Sequence, residues 1–562
     1  MRTPTLVYKS ALIAALGGFL FGFDTAVISG TVQSLREVFS LNNWWLGFTV
    51  ASALIGTILG AATAQIPSNR FGRKPTLIIL AVLYLVSAIA SACPWNFGTM
   101  TNWDWYGFLF ARFLGGIAVG GASVVSPLYT AEISPARRRG ILVAIVQFNI
   151  VFGILAAFFS NYIIAGFNLG DLGWRWMFAA EAFPAALFFL LLFTVPESPR
   201  WLIGREQSEK AKSILQKLGT DEGRTVEEEA EVIRVAIEEE RKYGKAVFFT
   251  PRLWFPITLA ICIAAFNQLS GINAVLYYAP TVFSMAGAGR ELSMFLPVVI
   301  GLTNLIFTMA AMAVIDSFGR KKLMIAGSIG YILSLGVVAG AFVMYASEFK
   351  VSTANFAVKE AQEKAEQLQT TYDAEPNDFN ERELKNALLD CIKALEAAYD
   401  TRHEAITERN INQDIGFMTT HDRNEDDIDT LQSYIESITS REDFDLTPTV
   451  PMAGILIVLA GLMAFIASHA FGQGAVIWVF LSEIFPQEVR AQGTALGCFT
   501  HWFFAALVTQ LFPVFLGLLG PSNIFFMFSG FMVLQLIWVL TLMPETKQVP
   551  LEEMQKKLGI TP

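Results

Sequence analysis

Charge is what this chain lacks. Only 16% of its 562 residues are charged, against about 25% in an ordinary soluble domain. So little polar surface cannot keep a chain with 54% hydrophobic residues dissolved. This excludes a disordered chain, a collagen and an ordinary cytosolic enzyme, and points to lipid as the solvent. Cysteine is scarce too: Cys93, Cys262, Cys391 and Cys498 are scattered without a CxxC pair, so neither a disulfide framework nor a zinc site is expected. No nucleophile is paired with a histidine base, and no metal ligands stand at workable spacing. No enzyme, no cofactor and no metal are therefore expected. Gly115-Gly116, Gly120-Gly121 and Gly472 with Gly474 lie inside apolar runs with no lysine following. They read as small residues that let helices approach or bend, not as phosphate loops.

What charge there is lies unevenly. Residues 348–445 hold 24 acids against 10 bases, a net of −14 within a total of −9, which leaves +5 for the remainder. The pattern is a mildly basic membrane body with one acidic insert, and no nucleic-acid partner is expected. The basic start, Met1 to Lys9, runs into an apolar stretch without a small-residue cleavage site, so that stretch reads as a first span.

A helix crosses about 30 Å of hydrocarbon with about 20 apolar residues. Twelve windows qualify, at 10–31, 46–66, 77–94, 107–128, 141–164, 177–196, 254–276, 295–315, 323–346, 450–481, 493–516 and 521–543. Backbone groups in lipid must bond internally, so all twelve are expected to be helices. Basic residues gather in one set of loops, at Arg70, Arg73, Lys74, Arg137 to Arg139, Arg320 to Lys322 and Arg490. This set includes both termini, which places both in the cytoplasm.

The polar stretch between spans six and seven falls on the same side, with helices expected near 206–217 and 226–242. The acidic insert falls on the outer side. There Leu384, Leu388, Ile392, Leu395 and Tyr399 form one apolar stripe at helical spacing, and Ile428, Leu431, Ile435 and Ile438 form another. Asn424 is a candidate cap for the second. A small helical subdomain is expected, with a further helix near 354–372.

The two sets of six spans repeat each other. Arg70-Phe71-Gly72-Arg73-Lys74 follows span two, and Ser317-Phe318-Gly319-Arg320-Lys321 follows span eight. Glu132 and Arg139 follow span four as Glu483 and Arg490 follow span ten. Transporters are commonly built from such repeats, with the substrate between them.

Asp24 sits inside span one, where a charge costs a few kcal/mol or more. Arg112, early in span four, is the one basic residue well placed to face it. The arginine favours the carboxylate and burial favours the acid, so a movement that separates the pair would let Asp24 take up a proton.

Nine motifs stand in order along the chain. They are Gly22 to Thr25, Arg70 to Lys74, Arg112 with Gly115-Gly116, Pro127 to Gly140, and Pro196 to Leu202. Gln268 to Tyr278, Asp316 to Lys321, Glu483 to Arg490 and Pro544 to Lys547 complete the set. With these the chain resembles the sugar porters of the major facilitator superfamily, nearest the bacterial D-xylose–proton symporter branch.

The resemblance implies an all-α membrane protein with twelve spans in two six-helix bundles. These are residues 1–196 and residues 253–346 with 447–544. A cytoplasmic helical linker (197–252), an outer helical insert (347–446) and a cytoplasmic tail (545–562) complete the layout. It implies proton coupling at Asp24 and Arg112. It also implies substrate contacts from Phe21, Gln147, Asn267, Gln268, Asn273, Tyr277, Asn304, Gln473, His501 and Trp502. Amides suit a sugar because they donate and accept at once, and Trp502 offers an apolar plate. Ile154, Asn267, Gln473 and His501 depart from the xylose-carrying pattern.

A pentose or hexose moved by proton symport is thus expected, with a myo-inositol-like polyol or a non-transporting sugar sensor as alternatives. Arg70, Arg73, Glu132, Arg139, Glu197, Arg200, Asp316, Arg320, Glu483 and Arg490 are expected to form an inner charge network that latches one half to the other. Asn69, where most of the family carries Asp, would weaken it. Other expectations are a monomer in the cell (inner) membrane and an outer-side protein partner at residues 350–446. Its ligands would be the sugar, a proton and the lipid bilayer.

Overall fold

The computed structural model describes residues 5–93, 102–220, 224–243, 247–407, 428–439, 450–549 and 551–560. Among them, eleven helices are long and apolar enough to cross a membrane. The last, Arg490–Thr541, has 52 residues and would reach about 78 Å at 1.5 Å per residue, far beyond one bilayer core. Gly520 breaks it at φ 77 and ψ 167, and Pro521 follows. This one helix is therefore spans eleven and twelve, and the total is twelve, as the apolar windows predict.

Spans one to five are Thr5–Gly30, Asn43–Thr63, Arg73–Ala92, Asp104–Ile133 and Arg137–Gly166. Span six, Gly173–Leu192, is interrupted at Glu181 between Gly173–Ala180 and Ala182–Leu192. Pro184 has no N–H to return to the carbonyl of Ala180, which weakens the helix there. Span seven is broken twice, into Trp254–Leu269, Ile272–Tyr277 and Ala279–Met285. Gly271 takes the left-handed conformation at the first break, with φ 86, which a residue with a side chain adopts only under strain. Spans eight and nine are Arg290–Ile315 and Arg320–Met344, and span ten is Met452–Glu483.

The chain divides into two compact units. One comprises Met1–Pro280, Met294–Gly336 and Ala460–Pro562. Within it, spans one, three, four, five and six share an apolar core that includes Leu77, Tyr84, Tyr129 and Phe188. A second core, with Ile263, Met324, Phe480 and Trp538, joins spans seven, nine, ten and twelve. Glycines set the spacing: a Cβ on Gly22 would strike the Ile150 backbone, and one on Gly116 the Ala53 carbonyl. Many large apolar side chains, such as Phe183 and Leu190, remain exposed, as lipid contact requires. The linker forms helices at Pro199–Gly204, Ser208–Leu218 and Val226–Tyr243.

The other unit, Thr281–Ser293 and Val337–Leu459, carries the insert. Its helices are Ala346–Ala374, Asp378–Thr407 and Ile428–Thr439. The stripe Leu384, Leu388, Ile392, Leu395 and Tyr399 is buried, with Leu431 and Ile438 on its partner. Each large side chain so covered stabilises the subdomain by about 1.5–3 kcal/mol as an upper bound. Ser352 donates to the Gly287 carbonyl at 2.9 Å and Thr353 to Ser284 at 3.0 Å, tying the first insert helix to the segment after span seven. Asn424 lies outside the described residues.

Candidate functional site

Asp24 and Arg112 meet as expected. Arg112 Nη1 lies 2.6 Å from Asp24 Oδ1 and Nη2 lies 3.3 Å from Oδ2, with both side chains sealed from solvent. The Phe178 ring faces the guanidinium at 5.1 Å, a favourable site for a cation. Gly115 leaves room beside the carboxylate: an added Cβ would lie 3.6 Å from Asp24 Oδ1 and closer still to Ser87.

Two further members escape sequence reasoning. Glu181, at the break in span six, is buried and within electrostatic reach of Asp24 and Arg112. Tyr84 of span three brings a buried hydroxyl within electrostatic reach of Asp24 and Glu181. The available signal for Glu181 is an acid inside the apolar window 177–196; Tyr84 gives none.

Asp24 and Arg112 share a cavity with Thr25, Thr57, Tyr277 and Trp502. Its volume is about 10 Å³, roughly what one water needs. Trp502 packs on Phe21 with ring centroids 5.6 Å apart.

The amides of span seven form a cluster around Gln268. Its Nε2 donates to Asn267 Oδ1 at 2.9 Å and faces the His501 ring nitrogens at 3.2 and 3.3 Å. Its Oε1 accepts from Asn273 at 2.8 Å. His501 stands edge-on to Trp502, with centroids 4.9 Å apart. Gln268, Asn267, Asn273, His501, Trp502, Tyr277 and Phe21 are thus brought together.

Three other expected residues are not part of this cluster. Asn304 accepts from Thr308 at 3.3 Å in its own span. Gln147 is half-buried in span five and makes no hydrogen bond to the cluster among the described residues. Gln473 turns toward spans nine and twelve, bonded to Tyr331 and Gln535.

The charge motifs form two matching networks. Arg73 grips both Glu132 oxygens at 2.8 Å, Ser198 donates to the same carboxylate, and Asn69 accepts from Arg73 at 3.2 Å. Glu197 accepts the backbone N–H of Arg73, Lys74 and Ser198. In the second half Arg320 pairs with Glu483 at 2.8 Å, and Thr546 donates to Glu483 at 2.6 Å. Glu545 accepts the N–H of Arg320, Lys321 and Thr546. Gly72 and Gly319 have φ of 113 and 90, and a Cβ on either would press into Glu197 or Glu545.

Each of these ion pairs joins residues of one half, and neither is the expected link between the halves. The halves instead meet at the opposite ends of their spans. There a Cβ on Gly47 would strike the Gln510 carbonyl, Gln510 donates to the Trp44 carbonyl at 3.3 Å, and Tyr162 stacks edge-on against Phe295. Arg70 and Arg139 are exposed, and Arg490 reaches the Phe485 carbonyl at 3.5 Å. Arg200 is half-buried on the helix Pro199–Gly204. The Asp316 side chain lies outside the described residues. Burial pushes the Glu197 carboxyl above its ordinary range, against the pull of the N–H groups it accepts.

The family described as Sugar (and other) transporter matches residues 10–358 and 444–558, nearly all of the chain outside the insert. This chain belongs to the sugar transporter family. Its members carry substrates and are not enzymes. The D-xylose-proton symporter of Escherichia coli K12 is 43% identical over 362 residues, covering 60% of this chain and 72% of that protein. The glucose transport protein of Synechocystis is 30% identical over 553 residues, covering 96% and 95%. Among solved structures, the inward open conformation of the E. coli xylose transporter XylE superposes with a TM-score of 0.70. That match has 31% identity and covers 98% of this chain and 99% of that one.

Proposed function

We propose that this sugar transporter moves a monosaccharide, pentose or hexose, by proton symport and alternating access. One observation carries the reading: the buried Asp24–Arg112 pair opens onto the same water-sized cavity as Tyr277 and Trp502. Proton site and sugar-facing residues are therefore neighbours. A carboxyl this deep is costly in membrane and is seldom kept without a task. Arg112 balances the carboxylate while the two are paired, and a helix movement that separates them is the step at which the reading has a proton exchanged. Sugar bound at the Gln268 cluster couples to that step through Tyr277, which belongs to span seven and lines the cavity.

The bias of basic residues in the loops supports a cytoplasmic side for the two ion-pair networks and both termini at the inner membrane. The closed ends at Gly47 and Gln510 then face outward, and the conformation is inward-facing. The layout proposed is two six-span bundles, the 197–252 linker inside and the 347–446 insert outside.

The test is Asp24→Asn in proteoliposomes. Accumulation driven by a pH gradient is expected to vanish while exchange of sugar across the membrane persists. Undiminished accumulation would reject proton symport.

A further inference from the structure

Spans nine, ten and twelve enclose a second polar cluster that the coupling site does not use. It comprises Ser328 and Tyr331 of span nine, His469 and Gln473 of span ten, and Gln535 of span twelve. Ser328, Tyr331, Gln473 and Gln535 are all buried. Gln473 sits in a π-helical turn, Ala470–Gly474, between two α-helical stretches. Such turns recur at functional sites.

The hydrogen bonds of this cluster have a single consistent direction. Ser328 Oγ donates to the Met324 carbonyl at 2.7 Å. A backbone carbonyl only accepts, so the one hydroxyl proton is used there. Gln535 must then turn its NH2 toward Ser328, which it does at 2.9 Å. Its carbonyl oxygen is left to accept from Gln473 Nε2. Gln473 in turn shows its own carbonyl oxygen to the Tyr331 hydroxyl at 3.1 Å. Tyr331 also bonds Ser270, whose own proton goes to the Asn267 carbonyl, so the one Tyr331 proton is given to Gln473 or Ser270 and toward His469 Nδ1, 2.6 Å away, the hydroxyl can only accept. His469 therefore carries its proton on Nδ1 and its lone pair on Nε2.

That Nε2 makes no hydrogen bond among the described residues, and His469 is only half-buried. Gly474 keeps the nitrogen clear, since an added Cβ would sit 3.2 Å from it. The imidazole is within electrostatic reach of His501, which bonds Gln268 in the amide cluster.

We propose that His469 Nε2 accepts a hydrogen bond from a hydroxyl of the transported ligand, so that His469 is a specificity-determining residue for a sugar or polyol. The one-way chain through Tyr331, Gln473 and Gln535 is a positioning device that fixes the tautomer. This inference rests on the sugar-transport reading above.

The experiment is counterflow in proteoliposomes with D-glucose, D-xylose and the monodeoxy forms of each. His469→Asn keeps an N–H for Tyr331 and, with its shorter side chain, places no acceptor at the Nε2 position. It is expected to raise KM about tenfold, the worth of one such bond, with kcat nearly unchanged. One monodeoxy form, lacking the hydroxyl that meets Nε2, is then handled equally by wild type and variant, as a double-mutant cycle requires. Gly474→Ala crowds Nε2 without touching the chain of bonds and is expected to give the same selective shift, which keeps the test decisive if His469→Asn misfolds. No shift, or an equal shift for every analogue, overturns the proposal. If wild type moves none of the sugars, the sugar reading itself fails and the assignment falls with it.

Discussion

Asp24 and Glu181 face each other as two buried carboxyls around the guanidinium of Arg112. Arg112 is hydrogen-bonded to Asp24, and Glu181 lies within electrostatic reach of both. One cation balances one anion, so the buried group is neutral when one of the two carboxyls holds a proton. Exchange of a proton between this cluster and the adjoining cavity is then a change of charge at the junction of coupling site and sugar site.

Glu181→Gln keeps the shape and removes the second carboxyl. Downhill uptake is expected to survive, and the pH profile of uptake is expected to shift. The measurement is initial uptake rate against pH in proteoliposomes. A profile identical to wild type would assign the proton to Asp24 alone.

The Arg73–Glu132 pair is a brace within one half, so its loss should act on stability. Glu132→Gln leaves Arg73, nearly buried, without its counter-charge and deprives Ser198 of its carboxylate. A cost of about 3 kcal/mol is expected. It would show as a lower melting temperature in detergent, with Glu483→Gln doing the same for the second half. A folded, thermally unchanged protein with slow transport would instead support a latch between the halves.

Much of this arrangement was legible in the chain. The twelve spans show because each is a long apolar run, and Gly520-Pro521 already marks the division of the last helix. The repeated Gly-Arg-Lys and Pro-Glu motifs show that two similar networks exist. They do not show which acid each arginine chooses, because that choice depends on which span ends are adjacent. Glu181 was hidden for a related reason: its importance comes from a helix interruption near Arg112, 69 residues earlier in the chain. His469 looks like one stray imidazole until Tyr331 and Gln535, on two other spans, are packed around Gln473. Directional bonds among non-adjacent helices leave no periodic trace in a sequence.

Glu197 gives a pH test outside the membrane spans. Burial raises its carboxyl above the unfolded value. Between its unfolded and folded pKa values, the group holds a proton in the folded state that the unfolded chain has released. The stability this contributes is full below the unfolded pKa and is lost as pH rises through the folded one. Glu197→Gln has no such term. The melting temperature of wild type minus that of the variant is expected to grow as pH falls from 7 toward 5. A difference that is flat or that shrinks on acidification would contradict the raised carboxyl.

Gly47 tests how the halves close. Its missing Cβ lets span two lie directly on the Gln510 backbone of span eleven, near Gln510's own bond to the Trp44 carbonyl. The neighbouring contact is also close, since a Cβ on Gly517 would lie 2.6 Å from Asn43 Nδ2, though one on Gly47 would come nearer still to the Gln510 carbonyl. A leucine at position 47 cannot be absorbed by a flexible side chain, because what it meets is backbone. The two spans must separate by several ångströms at this end, while the Arg73 and Arg320 networks, at the far ends, keep their geometry. Gly47→Leu is therefore expected to stay folded, to bind sugar, and to lose at least about tenfold in transport, which corresponds to roughly 1.4 kcal/mol of bias against closure. Sugar binding measured with purified protein, beside uptake in proteoliposomes, separates the two effects. Transport at the wild-type rate would show that the Gly47–Gln510 contact is not the closure on which alternation depends.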